Sequence, residues 1–126
     1  MATILLADDE PAFRSLFEIW LKGGGFDVRL ASDGIDALHS LAVDGLPDAL
    51  VLDVNMPRLD GIELCRVLRR IRPLLPVVLV SAEDGLPELG RSAGASAALS
   101  KPSSQGELCG TLRALIATSA PDVYAA

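Results

Sequence analysis

The sequence is poor in the residue types on which several classes of site depend. Aromatic residues make up only 4% of the 126 residues, and there are two cysteines and one histidine. Cys65 and Cys109 lie far apart in apolar segments of helical period, which is typical of reduced packing residues and not of a disulfide or metal pair. We therefore expect an aliphatic core, with few rings available to sandwich a flavin.

Positive charge is also scarce. Eleven basic residues face seventeen acidic ones, for a formal net charge of −6. A field of this sign repels phosphate, so we expect no direct binding to nucleic acid. One arginine cluster, at Arg66, Arg69, Arg70 and Arg72, is interpreted as the solvated face of a helix.

Long apolar runs and a secretory signal are both absent from the sequence. Its apolar runs are much shorter than a membrane span. The first residues lack the basic region and long apolar segment that a secretory signal requires. The sequence therefore predicts a cytoplasmic protein without membrane insertion.

What the sequence does contain is an alternation of apolar runs of strand length with segments of helical period. The strand-like runs are 3–7, 28–31, 49–52, 77–80 and 97–99. Apolar positions mark the five helices: Phe13, Leu16, Phe17 and Trp20; Ile35, Leu38 and Ala42; Leu64, Val67, Leu68 and Ile71; 86–93; and Leu108, Leu112, Leu115 and Ile116. Pro87 and Gly90 predict a short or irregular fourth helix.

This (βα)5 pattern predicts an α/β protein with a parallel sheet and helices on both faces. The first, third and fourth strands are apolar on both faces, as central strands of such a sheet must be. The second strand is amphipathic and the fifth is short, which suits the two edges. We therefore predict a flavodoxin-like, doubly wound fold with strand order 2-1-3-4-5.

Polar residues follow these strands where ligands bind in such sheets, at the carboxyl ends. They are Asp8, Asp9 and Glu10 after the first strand, Asp53 after the third, Ser81 after the fourth and Lys101 after the fifth. Converging carboxylates repel one another unless some protonate or a cation binds. Oxygen ligands without histidine or cysteine favour Mg²⁺.

The same set suits phosphoryl transfer. A carboxylate can form an aspartyl phosphate, while Lys101 and Ser81 can hold the phosphate oxygens. No glycine-rich nucleotide loop follows the first strand. Each residue alone could instead be a helix cap, a solvated loop acid or a turn charge, and only their coincidence at one edge of the sheet favours a site.

At this point the sequence resembles the response-regulator receiver family over about residues 2–117. The motifs that carry the resemblance are 4–10 (ILLADDE), 53–61 (DVNMPRLDG), Ser81-Ala82 and Lys101-Pro102. We accordingly expect a receiver domain at 1–118 and a short tail at 119–126 without an effector domain.

The resemblance implies a role for each residue of the site. Asp53 would accept phosphate from a phosphohistidine on a sensor kinase or phosphotransfer protein. Mg²⁺ would be held by Asp9, Asp53 and the Asn55 backbone carbonyl, with Asp8 acting through water. Ser81 and Lys101 would bind the phosphoryl group, Lys101-Pro102 would be a cis peptide, and Asn55 and Glu83 would tune dephosphorylation.

Three departures from the family pattern concern signal output. The family usually has an aromatic residue where this sequence has Ala98, and a methyl group cannot switch between buried and exposed rotamers. Ser103 replaces a usual aromatic residue after Lys101-Pro102. The interval from Ser81 to Lys101 is also shorter than usual, so we expect an atypical output face.

The leading hypothesis is a phosphoacceptor switch that is not an enzyme and that signals to an unknown downstream protein. A pseudo-receiver, which binds partners without phosphorylation, is the second hypothesis. A small Mg²⁺-dependent phosphohydrolase or a flavin-binding electron carrier is the third, although Asn55 stands where a hydrolase would place a second acidic catalyst.

Overall fold

The computed structural model describes residues 1–82, 86–101 and 104–119, and strands and helices alternate along them. The strands are β1 (Thr3–Ala7), β2 (Asp27–Ala31), β3 (Ala49–Asp53), β4 (Val77–Ser81) and β5 (Ala97–Ser100). The helices are α1 (Pro11–Gly23), α2 (Gly34–Asp44), α3 (Gly61–Ile71), α4 (Leu86–Ala93) and α5 (Gln105–Ser119). Among these residues, no helix combines the length and apolar character needed to cross a membrane.

The strands form one parallel sheet in the order β2-β1-β3-β4-β5, which confirms the predicted flavodoxin-like topology. The strand order reverses between β1 and β3, because β1 pairs with β2 on one side and with β3 on the other. Ala7 pairs with Leu52, so Asp8, which follows β1, and Asp53, which ends β3, come next to each other at the carboxyl edge.

Side-chain alternation along the central strands divides the core between the two faces of the sheet. Leu5, Leu50 and Leu79 pack with the residues of α2, α3 and α4. Ile4 and Val51 pack on the other face with α1 and α5. Because helices pack on both faces of the sheet, the strand ends that carry the polar residues are held in place.

Helix α2 buries a different stripe from the one its apolar pattern predicts. Ile35, one of the apolar positions that mark this helix, is 42% exposed, while Gly34, Ala37 and Ser40 are buried. A Cβ atom on Gly34 would lie 2.1 Å from the backbone oxygen of Leu59. Small residues are needed there because the loop between β3 and α3 approaches α2 closely.

Helix α4 is eight residues long, which confirms the prediction of a short helix. A Cβ atom built on Gly90 would lie 3.2 Å from the Cβ atom of Ala98 on β5. The small side chains at these two positions let the helix lie close to the strand.

The arginines of α3 divide into two groups. Arg69 donates to the backbone oxygens of Gly94 and Leu75, the latter at 2.6 Å, and to the Ser96 hydroxyl at 2.9 Å. The prediction of a solvated role is therefore wrong for Arg69, which ties α3 to the loops before β4 and β5. Arg70, in contrast, is exposed.

Candidate functional site

Four buried polar residues meet at the carboxyl edge of the sheet. Asp8 follows β1 and Asp53 ends β3, and their exposures are 1% and 5%. Ser81 ends β4 and Lys101 follows β5, and both are also buried. The backbone N–H of Lys101 donates to the Ser81 carbonyl oxygen at 2.9 Å, which fixes the start of the segment after β5.

The Lys101 ammonium lies among three carboxylates. Its Nζ atom is 2.9 Å from Asp8 Oδ2, 3.3 Å from Glu10 Oε1 and 3.5 Å from Asp53 Oδ2. Burial alone would lower the pKa of Lys101, but the hydrogen bond to Asp8 and the charge of Asp53 hold that pKa above its ordinary value. The lysine therefore remains a cation at neutral pH.

The carboxyl group of Asp53 has a strongly shifted pKa. Burial and the negative charge of Asp8 raise the pKa of Asp53 from 3.8 to about 7, against the opposing effects of Lys101 and the Asn55 backbone N–H. Burial favours the neutral acid because a charge is poorly solvated there. An added cation would stabilise the ionised form of this group.

The acidic side chains could together hold a metal ion. Ligand oxygens from Asp8, Asp9, Glu10 and Asp53 can all lie within 4.8 Å of one another. Asp8 Oδ1 accepts the Glu10 backbone N–H at 2.9 Å, which fixes the turn after β1. An all-oxygen donor set is the chemistry that Mg²⁺ prefers, so these residues fit the ion that the sequence predicts.

The loop after Asp53 is anchored to α2 by an ion pair. Arg58 donates to both carboxylate oxygens of Asp33, from Nε at 2.8 Å and from Nη2 at 3.0 Å. Arg58 has a φ of 69°, in the left-handed region that non-glycine residues rarely occupy. Asp33 also caps α2 by accepting the Asp36 N–H. This contact helps to hold the loop that carries Asn55.

Gly61 sets the distance between α3 and Asp53. Its N–H donates to the Val54 carbonyl oxygen at 3.0 Å, and a Cβ atom built on it would lie 2.2 Å from the Asp53 backbone oxygen. A side chain at position 61 would therefore force α3 and the Asp53 backbone apart.

We expect Gly61→Ala to lower the free energy of unfolding by about 1–3 kcal/mol, the usual cost of overpacking. Urea denaturation measures this. Gly106→Ala is the matched control, because a Cβ atom built on that helical glycine meets nothing within 4 Å. The control should be neutral or up to about 1 kcal/mol more stable. Equal stabilities for the two variants would contradict the steric role of Gly61.

Two contacts of the site were not assigned by the sequence. Glu10 belongs to the acidic run, but its ion pair with Lys101 depends on the geometry of the turn. The Phe13 ring lies 4.2 Å from Lys101 Nζ, in a cation–π contact. Phe13 was predicted as an apolar position of α1, and no sequence pattern distinguishes a packing ring from one that faces a lysine.

Ala98 lies on β5 beside a surface cleft of about 250 Å³. Gly90, Arg91, Ala95 and Ser96 contribute to the lining of this cleft. None of the described residues that line this cleft is aromatic. The expected departure at the output face stays a prediction.

Three predicted positions lie outside the described residues: Glu83, Pro102 and Ser103. The expected Lys101-Pro102 cis peptide and the role of Glu83 therefore stay predictions.

Comparison with known proteins decides the family. A model of the response regulator receiver domain matches residues 4–113. The chain belongs to the response regulator receiver family. The matched segment includes the strand-end residues Asp8, Asp53, Ser81 and Lys101, so the receiver domain carries the site described above. The predicted bounds 1–118 and the tail 119–126 stay predictions.

The receiver domain is similar in sequence to response regulator MprA from Mycobacterium leprae (strain TN). The two are 46% identical over 121 residues, which is 94% of this chain and 53% of MprA. The chain thus spans about half the length of the curated relatives it matches.

Two solved structures with a similar fold agree with this assignment. The Francisella response regulator 1452 receiver domain is 30% identical, with a TM-score of 0.86 and coverage of 94% of this chain and 99% of that one. Vibrio cholerae chemotaxis protein CheY4 is 28% identical, with a TM-score of 0.82 and coverage of 91% and 98%.

Proposed function

We propose that this receiver domain accepts a phosphoryl group on Asp53 from a phosphohistidine of a sensor histidine kinase or phosphotransfer protein. The observation that supports this most directly is the Lys101 ammonium, buried 3.5 Å from Asp53 and 2.9 Å from Asp8. A fixed cation beside a carboxylate nucleophile is what an incoming phosphoryl group requires.

In this reaction a carboxylate oxygen of Asp53 attacks phosphorus. A phosphorus–oxygen bond forms while the phosphorus–nitrogen bond of the phosphohistidine breaks, and the imidazole leaves with the bonding pair and takes a proton. Lys101 offsets the charge of the phosphoryl oxygens, and the Ser81 hydroxyl donates a hydrogen bond to one of them.

Mg²⁺ would be held by Asp9, Asp53 and the Asn55 backbone carbonyl, with Asp8 acting through water. When bound, it would supply positive charge against which the carboxylates and a phosphoryl group can approach. The ion would favour the ionised form of Asp53, whose pKa is otherwise raised to about 7, and so keep that carboxylate nucleophilic at neutral pH.

The domain would act as a switch and not as an enzyme with a free substrate. It would work in the cytoplasm and change its contacts with a downstream protein, and the negative net charge argues against direct contact with nucleic acid. Asn55 and Glu83 would tune the rate of dephosphorylation. Because Ala98 replaces the usual aromatic residue, we propose that the signal leaves without an aromatic rotamer change.

Incubation with acetyl phosphate and Mg²⁺ tests the proposal. We expect the intact mass to increase by one phosphoryl group in the wild type and to stay unchanged in Asp53→Asn or when Mg²⁺ is chelated. Asp48→Asn is the control, since Asp48 is exposed and accepts the Thr3 N–H away from the site.

Trp20 gives a second readout. Ring contacts connect Lys101 to it through Phe13 and Phe17, with centroid separations of 6.0 Å between the phenylalanines and 5.4 Å from Phe17 to Trp20. Beryllofluoride with Mg²⁺ should therefore change Trp20 fluorescence. An adduct that persists in Asp53→Asn would contradict the assignment of the acceptor, and its absence from the wild type would favour the pseudo-receiver.

A further inference from the structure

The surface between α2 and α3 exposes several large apolar side chains. It holds a groove of about 290 Å³ lined by Leu38, Leu41, Ala42, Leu46, Leu68, Ile71 and Arg72, which we call the α2–α3 groove. Ile71 is 56% exposed, Leu46 is 47% exposed and Val67, on the outer surface of α3, is 37% exposed. Contiguous apolar surface of this kind often marks an interface.

The exposed stripe of α3 carries charges of opposite sign at its two ends. Glu63, Val67 and Arg70 are all exposed and follow the spacing i, i+4, i+7, so they share one face of the helix. Glu63 lies in the first turn and Arg70 in the last. Within the described residues, neither side chain takes part in an ion pair.

A helix face that is acidic at one end and basic at the other is complementary in charge to a second copy of itself that runs antiparallel. Glu63 and Arg70 are separated by roughly 10 Å along the axis, at about 1.5 Å per residue. If two copies of α3 run antiparallel about a midpoint next to Val67, each Glu63 lies opposite the partner's Arg70. Val67 then lies beside its symmetry mate.

We propose that two copies of this receiver domain associate through the α2–α3 face about a two-fold axis perpendicular to α3. The interface uses the same surface on both copies, as a two-fold contact requires. Apolar contact comes from Val67, Ile71 and Leu46, and the two symmetric pairs of Glu63 with the partner's Arg70 fix the antiparallel orientation. The proposal does not rest on phosphorylation, because none of the contacts it uses involves Asp53.

Sedimentation velocity over a concentration series tests this pairing. We expect wild type to approach twice the monomer mass as concentration rises. Glu63→Arg and Arg70→Glu should each raise the dissociation constant by about 10-fold or more, because like charges then face each other. The double variant Glu63→Arg/Arg70→Glu should return to within a few-fold of wild type. All these positions are exposed, so the variants should stay folded.

Ile19→Glu serves as the control, since Ile19 is 66% exposed on α1, outside the proposed face. It should leave the mass distribution unchanged. A wild type that is monomeric at every concentration would overturn the proposal. So would a dimer that neither single charge reversal weakens, or one that both weaken and the double variant does not restore.

Discussion

Replacement of Lys101 by methionine should lower the free energy of unfolding by about 3–5 kcal/mol at pH 8 without divalent cations, the usual cost of removing one partner of a buried ion pair. The Lys101 side chain is 2% exposed and lies 2.9 Å from Asp8 and 3.5 Å from Asp53. Methionine has a similar length but no charge, so the substitution leaves the two buried carboxylates facing each other without a protein cation.

Urea denaturation of Lys101→Met at pH 8 measures this loss, with Lys22→Met as the matched control. Lys22 pairs with Glu18 at 2.9 Å, but its side chain is 59% exposed, and such surface pairs contribute at most about 1 kcal/mol. Adding Asp53→Asn to Lys101→Met should recover part of the stability, since one of the repelling charges is gone. If the two lysine variants lost equal stability, Lys101 would not be compensating buried charge.

The second large effect is a fall in stability as the pH rises from about 4 to about 7. The pKa of Asp53 is raised from 3.8 to about 7 in the folded chain. Between these values the folded state holds a proton that the unfolded state releases, so a rise in pH favours unfolding. The stabilisation that comes from protonated Asp53 is fully present below pH 3.8 and is lost as the pH rises through about 7. At about 1.4 kcal/mol per unit, it amounts to at most about 4 kcal/mol.

Asp53→Asn should remove most of this pH dependence. The amide is neutral at every pH, and Lys101 keeps its pair with Asp8. We expect the variant to unfold at a higher urea concentration than the wild type at pH 8 in EDTA, and at a similar one at pH 4. Mg²⁺ should stabilise only the wild type strongly at pH 8. Parallel pH profiles for the two proteins would show that Asp53 is not the group responsible.

Other shifted groups act outside this pH window. Arg58 and the Asp36 N–H lower the pKa of Asp33, with the backbone hydrogen bond as the larger cause. A lowered carboxyl pKa gives stability that is lost only as the pH falls below about 4. The pKa of Lys101 is raised above its ordinary value of 10.5, so its contribution to stability is lost only as the pH rises beyond 10.5. The thiol pKa values of Cys65 and Cys109 are raised above 9.0, so among the described groups with a shifted pKa only Asp53 acts between pH 4 and pH 7.

The order of the elements and the place of the site could be predicted from the sequence, because both depend on local patterns. Apolar runs as long as a strand must be buried, and three that are apolar on both faces must be central strands. Each run ends where a polar residue follows. Since parallel strands share one carboxyl edge, Asp8, Asp53, Ser81 and Lys101 had to meet there.

The rotation of α2 about its axis was decided by tertiary structure. The apolar pattern of α2 predicts a buried Ile35, but Gly34 must be buried to admit the Leu59 backbone. The sequence also marks Arg69 as one solvated arginine among four, whereas the structure joins it to Leu75 and Ser96. Such choices depend on which distant segment packs against a helix, and periodicity does not carry that information.

The sequence by itself determined that Asp53 lies among carboxylates and near a lysine at the carboxyl edge of a parallel sheet. Only the tertiary structure decided how that lysine is shared, with Nζ within 3.5 Å of Asp8, Glu10 and Asp53 and 4.2 Å from the Phe13 ring. The physical reason is that strand order follows from local hydrophobic patterns. The partners of a buried charge depend instead on distances of a few ångströms between segments far apart in the chain.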